Sequence, residues 1–359
     1  MSLLRNKQIP AVSIGDSTPK PERIHSTTIS IIVPVSPNSD PIDLAKLLDS
    51  VYKQNFSCVE VLILSEDASK WNPLLDNEHR SAVVVRRLLV PPGTGASAAR
   101  NHGAANATGN ILAFLDDDVI LCERWCERCV TALADSSVGA VTGRVLVRLE
   151  EYGLDFVPES LKWVVGGTYW DSKVPISVFS AAGMNFCIKK EVFLKVGGYD
   201  ENLGPRGDRP ETARWHRLGA EESDLAIRVW LETGLKVVYD PNVIVEHKLR
   251  PESILPVGLV RRALHVGYNR AYIRNKFPTR LAMFSNVLVT KDLLKASISP
   301  NLIRHPIVLW KRTCFTLTVL FGVLLGFVIG IVQSELQANL LRRTQLGHYR
   351  CSTEKYTRN

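Results

Sequence analysis

Between residues 28 and 134 the chain alternates between two hydrophobic periodicities, and this alternation restricts its fold more than any other feature. Residues 28–35 (TISIIVPV) and 59–64 (VEVLIL) are β-branched runs typical of buried strands, whereas 40–54 has the one-sided apolar pattern of a helix. Asp40 and Pro41 are suited to the N-cap and first turn of that helix. The same patterns continue as a strand at 82–90, a helix at 95–108, a strand at 110–115 and a helix at 122–134. The order predicts an α/β fold with a mostly parallel sheet flanked by helices.

The composition supports a folded chain with a polar leading segment. The 359 residues are 45% hydrophobic, which is enough for one large domain or two smaller ones with a proper core. Residues 1–28 are polar and rich in Pro and Ser, so we expect a flexible segment with no cleavable signal peptide. We place the main domain at 29–250.

The C-terminal third separates into a basic region and an apolar one. Residues 248–312 contain 13 lysines and arginines against two acids, and residues 313–334 follow without a single charge. The 22 apolar residues predict a transmembrane helix, with a buried core helix as the alternative. Basic charge directly before such a span favours an anionic membrane surface over nucleic acid. We therefore expect a basic membrane-proximal helical region at 251–312, a single span at 313–334 and a tail at 335–359.

Two further features of the apolar segment predict its orientation and its contacts. Lys311 and Arg312 precede it, which favours a cytoplasmic location for the N-terminal domain. Gly322, Gly326 and Gly330 recur every four residues, a spacing that lets two membrane helices approach closely. The spacing suggests a homodimer formed through this helix.

Three consecutive carboxylates follow the strand at 110–115. In an extended conformation alternate side chains share a side, so Asp116 and Asp118 are expected to converge while Asp117 points away. Ligands of α/β sheets bind beyond the carboxyl ends of the strands, where these acids lie. Two hard oxygen ligands suit Mg²⁺ or Mn²⁺, which would hold a diphosphate. The alternative is an acidic cap on the helix that begins near Cys122.

Other polar motifs are expected at the same edge of the sheet. Arg100, in GASAARNHG, offers a fork of donors for phosphate or carboxylate, and Glu66 and Asp67 end another strand with acceptors suited to a base or ribose. Further on, GAEESDLAIRV at 219–229 places a group of acids at the start of a predicted helix, and His247 follows.

In this order, the motifs resemble those of the family-2 glycosyltransferases, which have the GT-A fold with a Rossmann-like nucleotide-binding half. In that family a strand typically ends in VP, and a second strand ends in a DDGS-like turn. A block follows that begins with ARN and ends with FLDxD, and a later block of the form GxEDxDLxxR is followed by a histidine. The corresponding segments here lie between about residues 28 and 250.

The resemblance implies roles for individual residues. The nucleotide base would border Pro34, Val35 and Asp67, and the ARN motif, with Arg100 and Asn101, would lie at the diphosphate or ribose. Asp116 and Asp118 would be the pair that contacts ribose and metal. His247 would complete the metal shell, unless it is a core histidine.

The expected general base is the second acid of the later block, where the family usually has aspartate and this chain has Glu222. Glu222 would take the proton from an acceptor hydroxyl, and Glu221 and Asp224 are alternatives. The helix N-terminus favours the ionised form of this acid, while the neighbouring Glu221 and Asp224 disfavour it, and we expect Glu222 to be a carboxylate at neutral pH.

The sequence thus predicts a membrane-anchored, inverting glycosyltransferase that uses a UDP- or GDP-sugar and a lipid-linked saccharide or polyprenyl phosphate. The alternatives are a nucleotidyltransferase, which would carry a glycine- and lysine-rich loop where this chain has PVSPNSDP, and a non-catalytic binding protein. Irregular segments at 150–182 and 204–218 supply either acceptor-binding side chains or lids; their candidates are Trp163, Tyr169, Trp170, Arg206, Arg209, Arg214 and Trp215.

Overall fold

The computed structural model describes residues 28–56, 59–67, 83–168, 170, 172–205, 219–249, 254–277 and 306–354. The chain divides into two units. The N-terminal unit comprises Met1–Arg217 with Glu221–Arg250, and the C-terminal unit comprises Leu218–Ala220 with Pro251–Asn359.

The described part of the N-terminal unit contains nine strands, five α-helices and two 3₁₀ helices, the latter at Glu150–Tyr152 and Glu159–Val165. The strands are β1 (Ile29–Val35), β2 (Val59–Ser65), β3 (Val84–Leu89), β4 (Ile111–Phe114), β5 (Val119–Leu121), β6 (Val138–Leu146), β7 (Ile176–Val178), β8 (Phe186–Lys189) and β9 (Lys236–His247). The helices are α1 (Pro41–Tyr52), α2 (Ala96–Asn106), α3 (Trp125–Ala134), α4 (Lys190–Lys195) and α5 (Glu221–Thr233).

The nine strands form one mixed sheet in the order β3-β2-β1-β4-β8-β6-β9-β5, with β7 on β9. The pairs β1–β2, β2–β3, β1–β4 and β6–β9 are parallel. The pairs β4–β8, β6–β8, β5–β9 and β7–β9 are antiparallel. The predicted α/β fold is confirmed, and the parallel arrangement holds for β1 to β4, while β8 inserts between β4 and β6 and makes the rest of the sheet mixed.

Both faces of the sheet are buried at β1, β2 and β4, as the long apolar runs predict, whereas the edge strand β3 is partly exposed. Along β1, Ile31 and Val33 pack into the core on the α1 and α3 face, whereas Ile32 packs into the core on the α2 and α5 face. The first helix begins as predicted, because the Asp40 side chain accepts a hydrogen bond from the backbone N–H of Ile42 at 3.0 Å.

A close approach of α2 to the sheet depends on Gly103. A Cβ at this position would lie 2.5 Å from the side chain of Ile32, so only glycine lets α2 sit this near β1. Buried Glu60 of β2 joins β1 to the segment between α2 and β4. It accepts hydrogen bonds from the Ser30 hydroxyl at 2.5 Å and from the Thr108 hydroxyl at 2.8 Å. These contacts fix the strand that leads into the three acids.

The described part of the C-terminal unit contains two helices, α6 (Pro256–Lys276) and α7 (Pro306–Glu354). The two helices run parallel and meet through small residues. The glycine face of α7 lies against Ala263, Leu264 and Ala271 of α6, and Gly267 of α6 lies against the α7 backbone. The predicted homodimer through these glycines is therefore not supported, because the chain's own α6 occupies that face. The sequence carried the signal in the spacing of Ala263, Gly267 and Ala271, which repeats every four residues.

The predicted apolar segment lies within α7. Residues Pro306–Leu336 of this helix are long enough to cross a membrane, and an 18-residue stretch within them has a mean hydropathy of 2.6. Leu317, Phe321, Leu324 and Val328 are among its exposed apolar side chains, and Trp310 is 70% exposed near its start. An exposed apolar face of this length suggests a membrane anchor.

Candidate active site

The carboxyl ends of β1 and β2 bring three of the predicted nucleotide-binding residues to one edge of the sheet. Pro34 and Val35 are the last residues of β1, and Val35 is in register with Ser65 at the end of β2. Asp67 follows two residues later, and the Ser65 hydroxyl accepts its backbone N–H at 3.2 Å. The neighbouring Glu66 accepts the backbone N–H of Gly93 at 2.9 Å, so its carboxylate fixes a loop.

The three consecutive acids lie directly after β4 and have different partners. Asp116 accepts a hydrogen bond from Arg100 Nη2 at 3.0 Å. Asp118 lies next to β5, and its Oδ1 is 3.5 Å from His247 Nε2. Their separate partners, together with a turn at 117–118, reduce the repulsion between the acids.

Asp118 and His247 are brought together by strand pairing. The antiparallel pairing of β5 with β9 sets Val119 opposite His247, and the backbone N–H of Lys248 donates to the Asp118 carbonyl at 3.1 Å. Only 7% of the Asp118 side chain and 12% of the His247 side chain are exposed. Among the described residues no three His, Cys, Asp or Glu side chains are gathered into a metal-binding group, so Asp116 does not join this pair.

The pair borders an open cavity of about 260 Å³ in the N-terminal unit. Bases and acids alternate around it. Lys248 binds Asp43 at 2.8 Å, and Arg148 binds Glu246 at 2.9 Å. Asp118 and His247 therefore border a cavity whose lining carries charges of both signs.

Arg100 joins the acids after β4 to those at the start of α5. Arg100 is 4% exposed, and its Nη1 lies 3.6 Å from Glu222 Oε1 and 3.9 Å from Glu221 Oε1. Sequence reasoning placed Arg100 at the diphosphate or ribose and missed this link, because α2 and α5 are more than 100 residues apart. One buried cation therefore serves three carboxylates, with Asp116 as the third.

The environment of Glu222 changes its protonation. Burial and the neighbouring charge of Glu221 raise the pKa of Glu222 to about 8, although Arg100 opposes the shift. Burial also raises the pKa of Glu221, again against the effect of Arg100. The expectation that Glu222 is a carboxylate at neutral pH was wrong, because burial and like charge outweigh the helix N-terminus.

Asp224, which the sequence predicts as an alternative general base, forms an ion pair with Arg228 on the same helix. It is fully buried, and Arg228 Nε donates to it at 2.7 Å. Arg228 also donates to the carbonyl of Gly198 at 2.7 Å and to that of Val196. Asp224 thus anchors α5 to the turn at 196–198.

Tyr199 and Asn101 form a part of the site whose role the sequence did not reveal. The Arg100 guanidinium carbon lies 5.6 Å from the centre of the Tyr199 ring. The Asn101 amide, predicted to bind nucleotide, donates to the Tyr199 carbonyl at 2.9 Å and accepts the Tyr199 N–H at 2.9 Å. A signal was available in the two glycines before Tyr199, which predict a tight turn.

Some of the predicted acceptor-binding aromatics face protein. Trp163 is 8% exposed and packs in the core, and the Trp170 ring lies 5.2 Å from that of Tyr239. Trp163 therefore has too little free face to stack on a sugar. The remaining candidates, Tyr169, Arg206, Arg209, Arg214 and Trp215, lie outside the described residues.

The fold and these motifs define a class of nucleotide-sugar enzymes, and comparison with known proteins agrees. Residues 30–197 match the family described as Glycosyl transferase family 2. A glucosyl-dolichyl phosphate glucuronosyltransferase of Haloferax volcanii is 26% identical over 310 residues, or 84% of this chain and 94% of the relative. Glycosyltransferase AglE of the same organism is 31% identical over 62% of this chain and 67% of the relative.

A solved structure shares the fold. The mannosyltransferase PcManGT from Pyrobaculum calidifontis, in complex with GDP-Man and Mn²⁺, has a TM-score of 0.54 at 17% identity, over 86% of this chain and 87% of that one. The chain belongs to glycosyltransferase family 2 and is a glycosyltransferase with a GT-A-like fold. The resemblance stated from the motifs is confirmed, and the nucleotidyltransferase alternative has no support.

Proposed function

We propose that this enzyme transfers a sugar, with inversion, from a nucleoside-diphosphate sugar to a hydroxyl of a lipid-linked saccharide. Glu222 is the general base in this proposal. The observation that carries it is the position of Glu222 at the start of α5, 3.6 Å from Arg100 in a largely buried site. A base of raised pKa works near physiological pH, where it can accept a proton during the reaction.

The two candidate acceptors, a sugar hydroxyl and a polyprenyl phosphate, differ in whether they need a general base. A sugar hydroxyl must lose its proton as it attacks, whereas a polyprenyl phosphate is already ionised at neutral pH because its second pKa is about 6. A buried glutamate would help the first acceptor and repel the second. The Haloferax volcanii relative, whose name specifies a glucosyl-dolichyl phosphate, supports a lipid-linked saccharide. Polyprenyl phosphate itself is the second candidate.

The reaction balances with one proton transfer. The acceptor oxygen bonds to the anomeric carbon while its proton passes to Glu222, and the bond from that carbon to the diphosphate oxygen breaks. The nucleoside diphosphate leaves with the electron pair. Because attack and departure occur on opposite faces, the anomeric configuration inverts.

Asp118 and His247 suit a divalent cation such as Mn²⁺ or Mg²⁺. Adjacent ligands of an octahedral ion bound at about 2.1 Å lie about 3 Å apart, near the 3.5 Å between these two side chains. The carboxylate oxygen is the type of ligand that suits Mn²⁺ and Mg²⁺, and imidazole is a common ligand of divalent metals. Such an ion, when bound, offsets the charge of a diphosphate. Asp116 would then contact the ribose from its place beside Arg100.

The remaining parts of the proposal concern the nucleotide and the membrane. Pro34, Val35 and Asp67 would border the base of UDP or GDP at the ends of β1 and β2. The apolar part of α7 would anchor the enzyme, and the basic residues before it favour a catalytic domain on the cytoplasmic side.

A panel assay tests the function. Full-length enzyme in detergent, with Mn²⁺, is given UDP-glucuronate, UDP-glucose, UDP-N-acetylglucosamine or GDP-mannose, together with either dolichyl phosphate or glucosyl-dolichyl phosphate. Release of nucleoside diphosphate and the mass of the lipid product are measured. We expect turnover with a saccharide-bearing lipid and a product of inverted configuration by NMR.

The base is tested in the same assay with Glu222→Gln. Transfer to a hydroxyl should fall by roughly 10²- to 10⁴-fold, whereas transfer to a phosphate would be little changed. Glu232→Gln, an exposed acid on the same helix, is the matched control. Near-normal transfer to a hydroxyl by Glu222→Gln would show that another group is the base.

A further inference from the structure

The ring of Tyr199 packs against the guanidinium of Arg100. Tyr199 is 2% exposed, and its ring contacts Phe114 edge-on at 5.1 Å and Phe193 at 5.8 Å. The Arg100 guanidinium carbon is 5.6 Å from the ring centre, within the range of a cation–π contact. The ring is thus held on one side by other aromatics and presents a face to the cation.

The position of Tyr199 is set by Asn101, the residue that follows Arg100 on α2. The Asn101 amide makes two reciprocal hydrogen bonds to the Tyr199 backbone, both of 2.9 Å. The preceding Gly198 has φ of 71°, and a Cβ there would lie 2.7 Å from Asn101 Oδ1, so the turn requires glycine. Two consecutive residues of α2 are therefore involved: Arg100 supplies the cation, and Asn101 fixes the backbone of Tyr199.

Arg100 needs such support because hydrogen bonds alone do not orient it. Among the described residues, its Nη2 donates to Asp116, but its Nε and Nη1 are buried without a hydrogen bond. The 3.6 Å and 3.9 Å separations from Glu222 and Glu221 are ion pairs without a fixed angle. A guanidinium with one hydrogen bond can still rotate, and the Tyr199 face restricts that rotation.

We propose that Tyr199 and Asn101 are positioning residues that hold Arg100 between Asp116 and Glu222. The inference rests on the proposed function, since it assigns Glu222 the role of base. Through Arg100, the Tyr199 ring aligns Asp116, which contacts the donor, with Glu222, which accepts the proton. Neither Tyr199 nor Asn101 needs to touch substrate for this.

The test compares Tyr199→Leu with Phe193→Leu in the full-length enzyme. Both changes remove a ring from one aromatic cluster, but the ring that lies against Arg100 is that of Tyr199, whereas Phe193 contacts Tyr199 and Phe114. We measure kcat with the substrate pair that gives the highest turnover in the panel, and the Kd of UDP and GDP in Mn²⁺ by calorimetry. Tyr199→Leu should lower kcat by about 10- to 100-fold, as a small misplacement of reacting groups does, with Kd changed less than about twofold.

Two further variants keep the inference falsifiable if Tyr199→Leu does not fold. Tyr199→Phe keeps the ring and should restore kcat to within about twofold of wild type, because the hydroxyl makes no hydrogen bond among the described residues. Asn101→Ala, at a partly exposed position, should lower kcat with unchanged Kd. The inference is overturned if Asn101→Ala and Tyr199→Leu keep the kcat of Phe193→Leu while Glu222→Gln is inactive. If Glu222→Gln is instead fully active, the proposed function fails.

Discussion

The pH dependence of transfer follows from the surroundings of Glu222. Among the described residues, three charged groups face it: Arg100 on α2, Glu221 on α5 and Asp116 after β4. Tyr199 lies below Arg100. Burial and Glu221 raise the pKa of Glu222 to about 8. With this value the carboxylate fraction is about 1% at pH 6, about 10% at pH 7 and about half at pH 8.

If only the carboxylate can accept the proton, kcat/KM follows this fraction. We expect kcat/KM for the donor to rise about tenfold from pH 6 to 7 and about fivefold from pH 7 to 8, before it levels above pH 9. Glu221→Gln removes the neighbouring charge that raises the pKa of Glu222, so the midpoint should move to lower pH. Glu222→Gln should give a low, flat profile.

The assay is the initial rate of nucleoside diphosphate release between pH 6 and 9.5, at low donor and fixed Mn²⁺. Glu232→Gln, on the exposed face of α5, should retain the wild-type profile. A wild-type midpoint below pH 6, or a midpoint that Glu221→Gln leaves in place, would refute the reasoning that burial and Glu221 control this group.

Three other predictions concern the metal, the sheet and the helix pair. Asp118→Asn should weaken UDP or GDP binding in Mn²⁺ by more than about tenfold, without affecting binding in chelator; equal loss in both conditions would exclude a metal role. Glu60→Leu should lower the free energy of unfolding by about 3 kcal/mol or more, since it leaves buried donors unpaired. Burial raises the pKa of Glu60, but hydrogen bonds led by Ser30 lower it overall, so its stabilisation should be present above pH 4.5 and be lost on acidification, as urea titration would show. Gly326→Leu should expose α6 to limited proteolysis, because a side chain there meets the Leu264 carbonyl, whereas Leu324→Ala on the exposed face should not.

The parts of the fold that depend on local sequence could be predicted. The β-branched run of β1 and the Asp40 cap of α1 determine their own elements, because both depend on residues a few positions apart. The insertion of β8 could not be predicted in this way. Its partners, β4 and β6, are set by packing on both faces of a finished sheet, and no local pattern in Phe186–Lys189 specifies them.

The candidate site shows the same division. The motifs gave the residues at the strand ends, since parallel strands necessarily bring their carboxyl ends to one edge. They did not give the partners of Arg100. Its contacts with Glu221 and Glu222 join segments about 120 residues apart, and the protonation of Glu222 depends on that packing. A pKa argued from the helix N-terminus and the neighbouring acids omitted the burial that dominates it.

The charge balance around Arg100 bears both on the stability of the folded chain and on the basicity of Glu222. Three carboxylates share one guanidinium, and replacing buried ion pairs with apolar side chains is often neutral or stabilising. Stability alone therefore does not account for Asp116, Glu221 and Glu222 around Arg100. A proton held on Glu222 relieves part of the repulsion, and its release restores an ionised base beside Arg100. Burial, together with this excess of negative charge, thus makes Glu222 a base near neutral pH, because the proton it accepts removes a buried charge and lowers the repulsion.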